Sequence, residues 1–178
     1  VQNIKGAHLV GFGGGGWIAA ELASRNCARV GSLTLVAPMG LRVAGHYQSD
    51  IFLGGDDDVL RMLVKDEKRA ETLIAETVTS ATEDLRLQNQ EVLARVAWDP
   101  RLHDPHLVKW LHRVSAPTHV IAGDSDSLFP VPYAKAWTDE IKGAKATLLS
   151  ACGHFPQYEK PQELANAILG FLARSEEH

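Results

Sequence analysis

The sequence predicts an α/β fold in which a doubly wound, mostly parallel sheet is interrupted by a helical insertion. Short apolar runs alternate with helical patterns, and the segments between them are long enough for the crossovers of parallel strands. The predicted strands are Ala7–Phe12, Ser32–Ala37, Pro117–Ala122 and Lys145–Leu149. Between about residues 41 and 114 the β-type runs vanish and apolar residues recur at helical spacing. We therefore divide the chain into core residues 1–40, a helical insertion at residues 41–114 and core residues 115–178.

The helices are predicted from apolar periodicity and from the residues that begin them. The expected core helices are Trp17–Cys27, Pro132–Ile141 and Pro161–Ala173, the last two with a proline in the first turn. In the insertion, an acidic run at 56–58 suits the positive end of a helix dipole. A further apolar stripe runs from Leu73 through Val78 to Ala81.

The composition is that of an ordinary globular protein. Of the 178 residues, 45% are hydrophobic and 22% are charged, with a net charge of -4. This charge argues against a nucleic-acid or anionic-membrane partner. No apolar run approaches the ~20 residues of a membrane helix, and no signal-peptide pattern is present. Cys27 and Cys152 make no disulfide framework, so we expect a reducing, cytoplasmic compartment.

A glycine-rich turn joins the first predicted strand to the first helix, and two interpretations compete for it. Residues 11–16 fit the dinucleotide fingerprint G-x-G-x-x-G, but that site needs an acid after the next strand, where Ala37 and Pro38 stand. The same turn fits the nucleophile elbow G-x-S-x-G, with Gly11 and Gly15 as its glycines. In that register Gly13 takes the place of the nucleophile and supplies no reactive atom.

Polar residues follow the last two predicted strands at the edge where the site of an open α/β sheet lies. Asp124 and Asp126 come after the third strand, and His154 comes after the fourth. An acid beside an imidazole orients the ring and stabilises its charged form while the ring takes a proton. We expect Asp126 to pair with His154, with Asp124 as the second candidate. Cys152 is expected to be a small buried cysteine rather than a nucleophile.

Three segments resemble the α/β-hydrolase fold superfamily. They are AHLVGFGGGGWIAAELA, AGDSDSLFP and ACGHFPQYEKPQELANAILGFLA. The resemblance implies that Asp126 is the triad acid, in the pattern G-x-x-D-x-x-x-P, and that His154 is the triad histidine. It also implies that Gly13 stands where members carry a nucleophile and that the N–H of Gly14 serves the oxyanion hole. The helical insertion then occupies the position of the cap domain.

By this resemblance we expect a hydrolase that needs no cofactor or metal and acts on a small organic ester, amide or C–C substrate. Because Gly13 closes the covalent route, only activation of water by His154 would remain. The alternative is a catalytically silent module that binds a ligand in the same pocket. Phe12, Trp98 and Trp110 are the predicted substrate contacts.

The family normally has several more strands before the elbow strand. The strand at residues 7–12 is therefore expected to be an exposed apolar edge, which invites pairing with another chain. We expect either a homo-oligomer formed through this edge or a sequence that lacks its N-terminal part.

Overall fold

A parallel four-stranded sheet forms the centre of the molecule in the computed structural model, which describes residues 5–77 and 83–176. The strands lie in the order β1-β2-β3-β4, and each neighbouring pair is parallel. Their bounds are Ala7–Phe12 for β1, Val30–Val36 for β2, Thr118–Gly123 for β3 and Lys145–Leu149 for β4. All four carboxyl ends therefore meet at one edge of the sheet.

Helices connect the strands and cover the sheet. In the core these are α1 (Gly14–Arg25), α6 (Val131–Glu140), α7 (Pro156–Glu159) and α8 (Pro161–Glu176). Between β2 and β3 lie α2 (Asp56–Leu63), α3 (Glu67–Thr77), α4 (Glu83–Ala97) and α5 (Val108–Leu111). The predicted α/β class with a parallel sheet is confirmed, and helices occupy the predicted insertion. Val78 and Ala81, from the predicted apolar stripe, lie outside the described residues.

The two inner strands carry the core. Every residue of β3 is buried, and β2 is buried along nearly all its length, as expected of parallel strands covered on both faces. Leu33 and Leu35 of β2 pack with Val120 of β3, with Trp137 on α6 and with Ile141 at the end of α6. Helix α1 packs closely on the sheet through its small residues Ala19, Ala20 and Ala23.

Two elements begin two or three residues before their predicted starts. Helix α1 begins at Gly14 rather than Trp17, because Gly13 alone completes the turn and Gly14–Gly16 form the first helical turn. Glycine has low helix propensity, so the apolar pattern could not reveal this start. Strand β2 begins at Val30, before the predicted Ser32, because Val30 pairs with Ala7 of β1.

Strand β1 is an edge of the sheet formed by the described residues, where it pairs only with β2. Val10 and Phe12 on this strand are each 41% exposed. Within residues 5–77 and 83–176, no helix has both the length and the apolar character to cross a membrane.

Candidate functional site

The turn between β1 and α1 holds Gly13 in an unusual backbone conformation. Its φ of 50° and ψ of -116° are angles that residues with a side chain rarely adopt. The Gly13 N–H donates to the carbonyl of Val36 at 2.9 Å. The Gly13 carbonyl accepts from the N–H groups of Gly16 and Met39, each at 3.0 Å. Bonds from β2, α1 and the segment after β2 thus fix the position of residue 13.

Asp126 and His154 meet at the same edge of the sheet. Nδ1 of His154 lies 2.9 Å from Oδ2 of Asp126, and each residue is only 4% exposed. The other carboxylate oxygen, Oδ1, accepts from the N–H groups of Leu128 at 2.8 Å and Phe129 at 2.9 Å. Because both oxygens are bonded, the carboxylate has one orientation, and it directs the imidazole to present Nε2 on the opposite side.

The second candidate acid, Asp124, has different surroundings. Its side chain is exposed and accepts a hydrogen bond from the Ser125 hydroxyl at 2.9 Å. That hydroxyl is the largest of the influences that lower the pKa of Asp124. Within the described residues, the hydrogen bond to the His154 ring is therefore made by Asp126.

The free side of the imidazole faces residue 13. A Cβ atom built on Gly13 would lie 3.8 Å from Nε2 of His154 and 3.8 Å from the terminal methyl carbon of Met39. A hydroxyl oxygen one bond beyond that Cβ could reach hydrogen-bond distance of Nε2. The three predicted catalytic positions, Gly13, Asp126 and His154, are thus brought together.

Aromatic rings and a backbone bond hold His154 in place. The ring centroids of Phe155 and Phe129 lie 5.1 and 5.7 Å from that of the imidazole. The N–H of His154 donates to the carbonyl of Leu63, at the end of α2, at 2.7 Å. The histidine loop is therefore attached to the helical insertion.

A cavity of about 370 Å³ opens beside Gly13 and His154. Phe12 and Gly14 line it as predicted, and Gly14 is the first residue of α1, so its N–H has no acceptor within the helix. The other lining residues are mostly apolar and come chiefly from the helical insertion: Val36, Met39, Ile51, Asp56, Val59, Leu63, Gln90, Leu93, Leu128, Phe155 and Gln157.

Two of the predicted substrate contacts lie away from this cavity. Trp98 follows the last residue of α4 and packs edge-on against Phe52, with the Arg101 guanidinium 5.0 Å from its ring centroid. Trp110 on α5 is 44% exposed and lies beside the Arg113 guanidinium. Both rings instead pack with arginines at the surface of the helical insertion. Apolar periodicity alone does not tell whether such a ring lies at the surface or lines the cavity.

The sequence did not single out the polar residues of the cavity wall. The sequence pattern predicts only a helix start at Asp56. In the structure Asp56 also lines the cavity and pairs with Arg86 and Gln90 of α4. Gln157 has a buried side-chain oxygen that meets no hydrogen-bond partner among the described residues. The sequence feature that points to Gln157 is its position directly after the His-Phe-Pro segment that begins with His154. No group of three or more potential metal ligands occurs within residues 5–77 and 83–176.

A sequence profile decides the family. The profile of the alpha/beta hydrolase family matches residues 1–167 of the chain. The chain belongs to the alpha/beta hydrolase family.

Curated relatives of this alpha/beta hydrolase chain are similar along nearly its whole length. It is 24% identical over 188 residues to a monoacylglycerol lipase of Xenopus laevis, covering 96% of this chain and 56% of that protein. It is 27% identical over 177 residues to the 2-hydroxy-6-oxo-6-(2'-aminophenyl)hexa-2,4-dienoic acid hydrolase of Metapseudomonas resinovorans, covering 93% and 59%. The chain thus spans little more than half the length of these relatives.

Solved structures of alpha/beta hydrolases share its fold. The 2-hydroxy-6-oxo-6-phenylhexa-2,4-dienoate hydrolase of a Rhodococcus species superposes with a TM-score of 0.75 at 20% identity, covering 96% of this chain and 65% of that one. A bacterial membrane phospholipase A superposes with a TM-score of 0.73 at 22% identity, covering 99% and 59%. At these identities the likeness establishes the fold alone.

Proposed function

We propose that the protein is a hydrolase of a small organic ester, amide or C–C substrate, with an Asp126–His154 pair and with Gly13 in the nucleophile's place. One observation carries the proposal: a Cβ on Gly13 would lie 3.8 Å from Nε2 of His154, while Nδ1 is held 2.9 Å from Asp126. The chain order of residue 13, the acid and the histidine is the order of the hydrolase triad. The names of the curated relatives, a lipase and a dienoic acid hydrolase, agree with this range of substrates.

With glycine at position 13, the proposed reaction uses water as the nucleophile. Asp126 accepts the Nδ1 hydrogen of His154, so Nε2 is free to accept a proton. The water oxygen attacks the substrate carbonyl carbon as its proton passes to Nε2, and the imidazolium then gives that proton to the leaving group. The N–H of Gly14 donates to the carbonyl oxygen as negative charge develops there.

The expected rate of this route is low. In triad hydrolases that lose a triad member, binding and the oxyanion hole still leave about 10³–10⁴-fold acceleration over water. General-base catalysis by His154 would add about 10²–10⁴-fold to this. An activated ester makes that contribution measurable, and it is the part of the rate that depends on His154.

The alternative is a catalytically silent module that binds a ligand in the cavity. The absence of a nucleophilic atom on Gly13 favours it, since the apolar cavity wall could hold a ligand without any reaction. The two functions differ in a single readout, which is whether hydrolysis depends on His154.

The test is hydrolysis of a short-chain nitrophenyl ester by the protein, by His154→Ala, by Gly13→Ser and by the double variant. Gly13→Ala is the matched control, because it adds the same Cβ and the same backbone strain without the hydroxyl. Activity of the unaltered protein that disappears in His154→Ala supports water activation. Activity confined to Gly13→Ser supports a silent module on a competent scaffold, and activity that is equal in all variants contradicts both.

A further inference from the structure

A buried carboxylate lies next to the histidine loop and has no part in the reaction proposed above. Glu159, the last residue of α7, is only 5% exposed. Its Oε1 accepts from the N–H of Gly153 at 2.8 Å. Its Oε2 accepts from the N–H groups of Lys65 at 2.8 Å and Asp66 at 3.2 Å.

These bonds join two segments that are distant in the sequence. Gly153 directly precedes His154, whereas Lys65 and Asp66 follow α2 in the helical insertion. A hydrogen bond to an ionised acceptor is roughly twice as strong as one between neutral groups. A buried carboxylate without partners would be strongly destabilising, so these backbone donors and Glu159 depend on each other.

The two segments are in direct contact where Glu159 joins them. The N–H of His154 donates to the Leu63 carbonyl at 2.7 Å. A Cβ built on Gly153 would lie 2.3 Å from the Leu63 carbonyl oxygen and 2.8 Å from Oε1 of Glu159, so only glycine fits here. A displacement of the segment after α2 would therefore be transmitted to the residue that precedes the histidine.

We infer that Glu159 is a positioning residue, which fixes His154 and the end of α2 in one arrangement. Leu63 and His154 both line the cavity, so the same carboxylate sets the place of the base and of part of the substrate wall. This inference rests on the proposed role of His154, but its test requires no turnover.

The test compares Glu159→Gln with a matched charge removal on α8. Glutamine keeps the shape of the side chain but replaces one acceptor oxygen by an amide group that faces N–H donors. Glu163→Gln is the control, because Glu163 is 56% exposed and its carboxylate lies 3.8 Å from the ammonium of Lys160. If Glu159→Gln fails to fold, Glu159→Asp, which keeps the charge on a shorter side chain, replaces it in both measurements.

The first readout is amide hydrogen exchange measured by NMR in the otherwise unaltered protein. Exchange at Gly153, Lys65 and Asp66 should be at least roughly tenfold faster in Glu159→Gln, from the loss of charge-assisted bonds. Exchange at Val120 and Ile121 in β3 should not change, and Glu163→Gln should change neither set. Equal acceleration of both sets, or no acceleration, would overturn the inference.

The second readout is the downfield proton resonance of the His154 Nδ1–H that is bonded to Asp126. It should broaden or disappear in Glu159→Gln and persist in Glu163→Gln. Selective loop exchange with an unchanged imidazole resonance would mean that Glu159 only fastens the loop, and would overturn its positioning role. Failure of ester hydrolysis alters neither readout, so the two proposals fail separately.

Discussion

At Gly13, backbone geometry and chemistry make opposite demands. A positive φ at a residue with a side chain costs of order 1–3 kcal/mol, and glycine relieves that cost. A nucleophile at this position needs a side chain in spite of the strain. The glycine therefore removes the reactive group while the surrounding hydrogen bonds and the orientation of His154 remain in place.

Replacement of Asp126 by Asn tests the orientation of the imidazole. The amide oxygen can still accept from Leu128 and Phe129, so the loop after β3 should stay folded. The amide NH₂ would face Nδ1 and favour the tautomer whose Nε2 carries the hydrogen and cannot accept a proton. In the Gly13→Ser background we expect ester hydrolysis to fall on the order of 10⁴-fold. A loss below tenfold, with unchanged circular dichroism, would contradict the assigned role of Asp126.

The buried thiol of Cys152 makes the free energy of unfolding depend on pH in the alkaline range. Burial, reinforced by the charge of Glu159, raises the pKa of this thiol from 9.0 to about 12. The unfolded chain releases the proton near pH 9 and the folded chain near pH 12, so the thiol's contribution is complete below pH 9 and is lost as the pH rises between these values.

The measurement is the free energy of unfolding of the protein and of Cys152→Ala from pH 8 to pH 11. Relative to the variant, the protein should lose stability above pH 9, at no more than about 1.4 kcal/mol per pH unit. Because other titrating groups are common to both proteins, they cancel in the difference. A difference that stays constant with pH would contradict the raised pKa.

The sequence predicts the positions of Asp126 and His154 more reliably than it predicts which residues line the cavity around them. Asp126 and His154 follow strands whose ends meet at one edge of the sheet, so topology alone places them together. The glutamine and glutamate after His154 carry no such signal. Glu159 accepts a hydrogen bond from Lys65 of the helical insertion, and Gln157 lines the cavity together with Gln90 of that insertion. The packing of the insertion does not follow from local periodicity.

At the scale of elements, close packing between β1 and α1 determines which glycines of the turn are required. A Cβ on Gly11 would lie 2.4 Å from the carbonyl oxygen of Gly15, and one on Gly16 would lie 2.9 Å from Cβ of Pro38. A Cβ on Gly15 would meet no atom of the described residues within 4 Å. The elbow pattern has glycine at both Gly11 and Gly15. Of these two positions, Gly11 is the one where the surrounding backbone leaves no space for a side chain.

Alanine at these two positions should have opposite effects on stability. Gly11→Ala forces backbone to move and should cost about 1–3 kcal/mol or more. Gly15→Ala should be neutral or stabilise α1 by up to about 1 kcal/mol, because alanine has the higher helix propensity. Equilibrium unfolding in denaturant measures both variants. Equal free energies of unfolding would show that the strand and helix are less closely packed than described.

Sequence patterns predict the strands more reliably than they predict the positions of the aromatic residues in the helical insertion. Each predicted strand is found. Strands β2 and β3 are buried and largely apolar, whereas β1 and β4 lie at the edges and are partly exposed but still carry short apolar runs. The sequence predicts Trp98 and Trp110 as substrate contacts at the cavity, but an amphipathic pattern indicates only that one face of a helix is covered. Which neighbour covers it depends on how α4 and α5 pack, as the arginines beside both rings illustrate.

At the scale of the whole molecule, the open edge at β1 is the feature that bears on association. Val10 and Phe12 are each 41% exposed on β1, which pairs with β2 alone among the described strands. An unpaired strand edge is a template for a further strand. We propose that the 178-residue chain, when isolated, associates through this edge.

Light scattering of the purified chain tests this proposal. Val10→Lys, which places a charge on β1, should shift the chain towards a monomer. Leu148→Lys is the matched control, since Leu148 is 45% exposed on β4 at the other edge of the sheet. A parent chain that is already monomeric, or an equal effect of both lysines, would contradict association through β1.

We propose that His154 is poised to accept a proton from a nucleophile at position 13, and covalent labelling of a serine placed there tests this role most directly. Gly13→Ser, treated with a fluorophosphonate, should be modified at residue 13 as found by peptide mass spectrometry. Modification should be lost in Gly13→Ser with His154→Ala, and Gly13→Ala should remain unmodified. A folded Gly13→Ser protein that is not labelled, or is labelled equally well without His154, would contradict the claim.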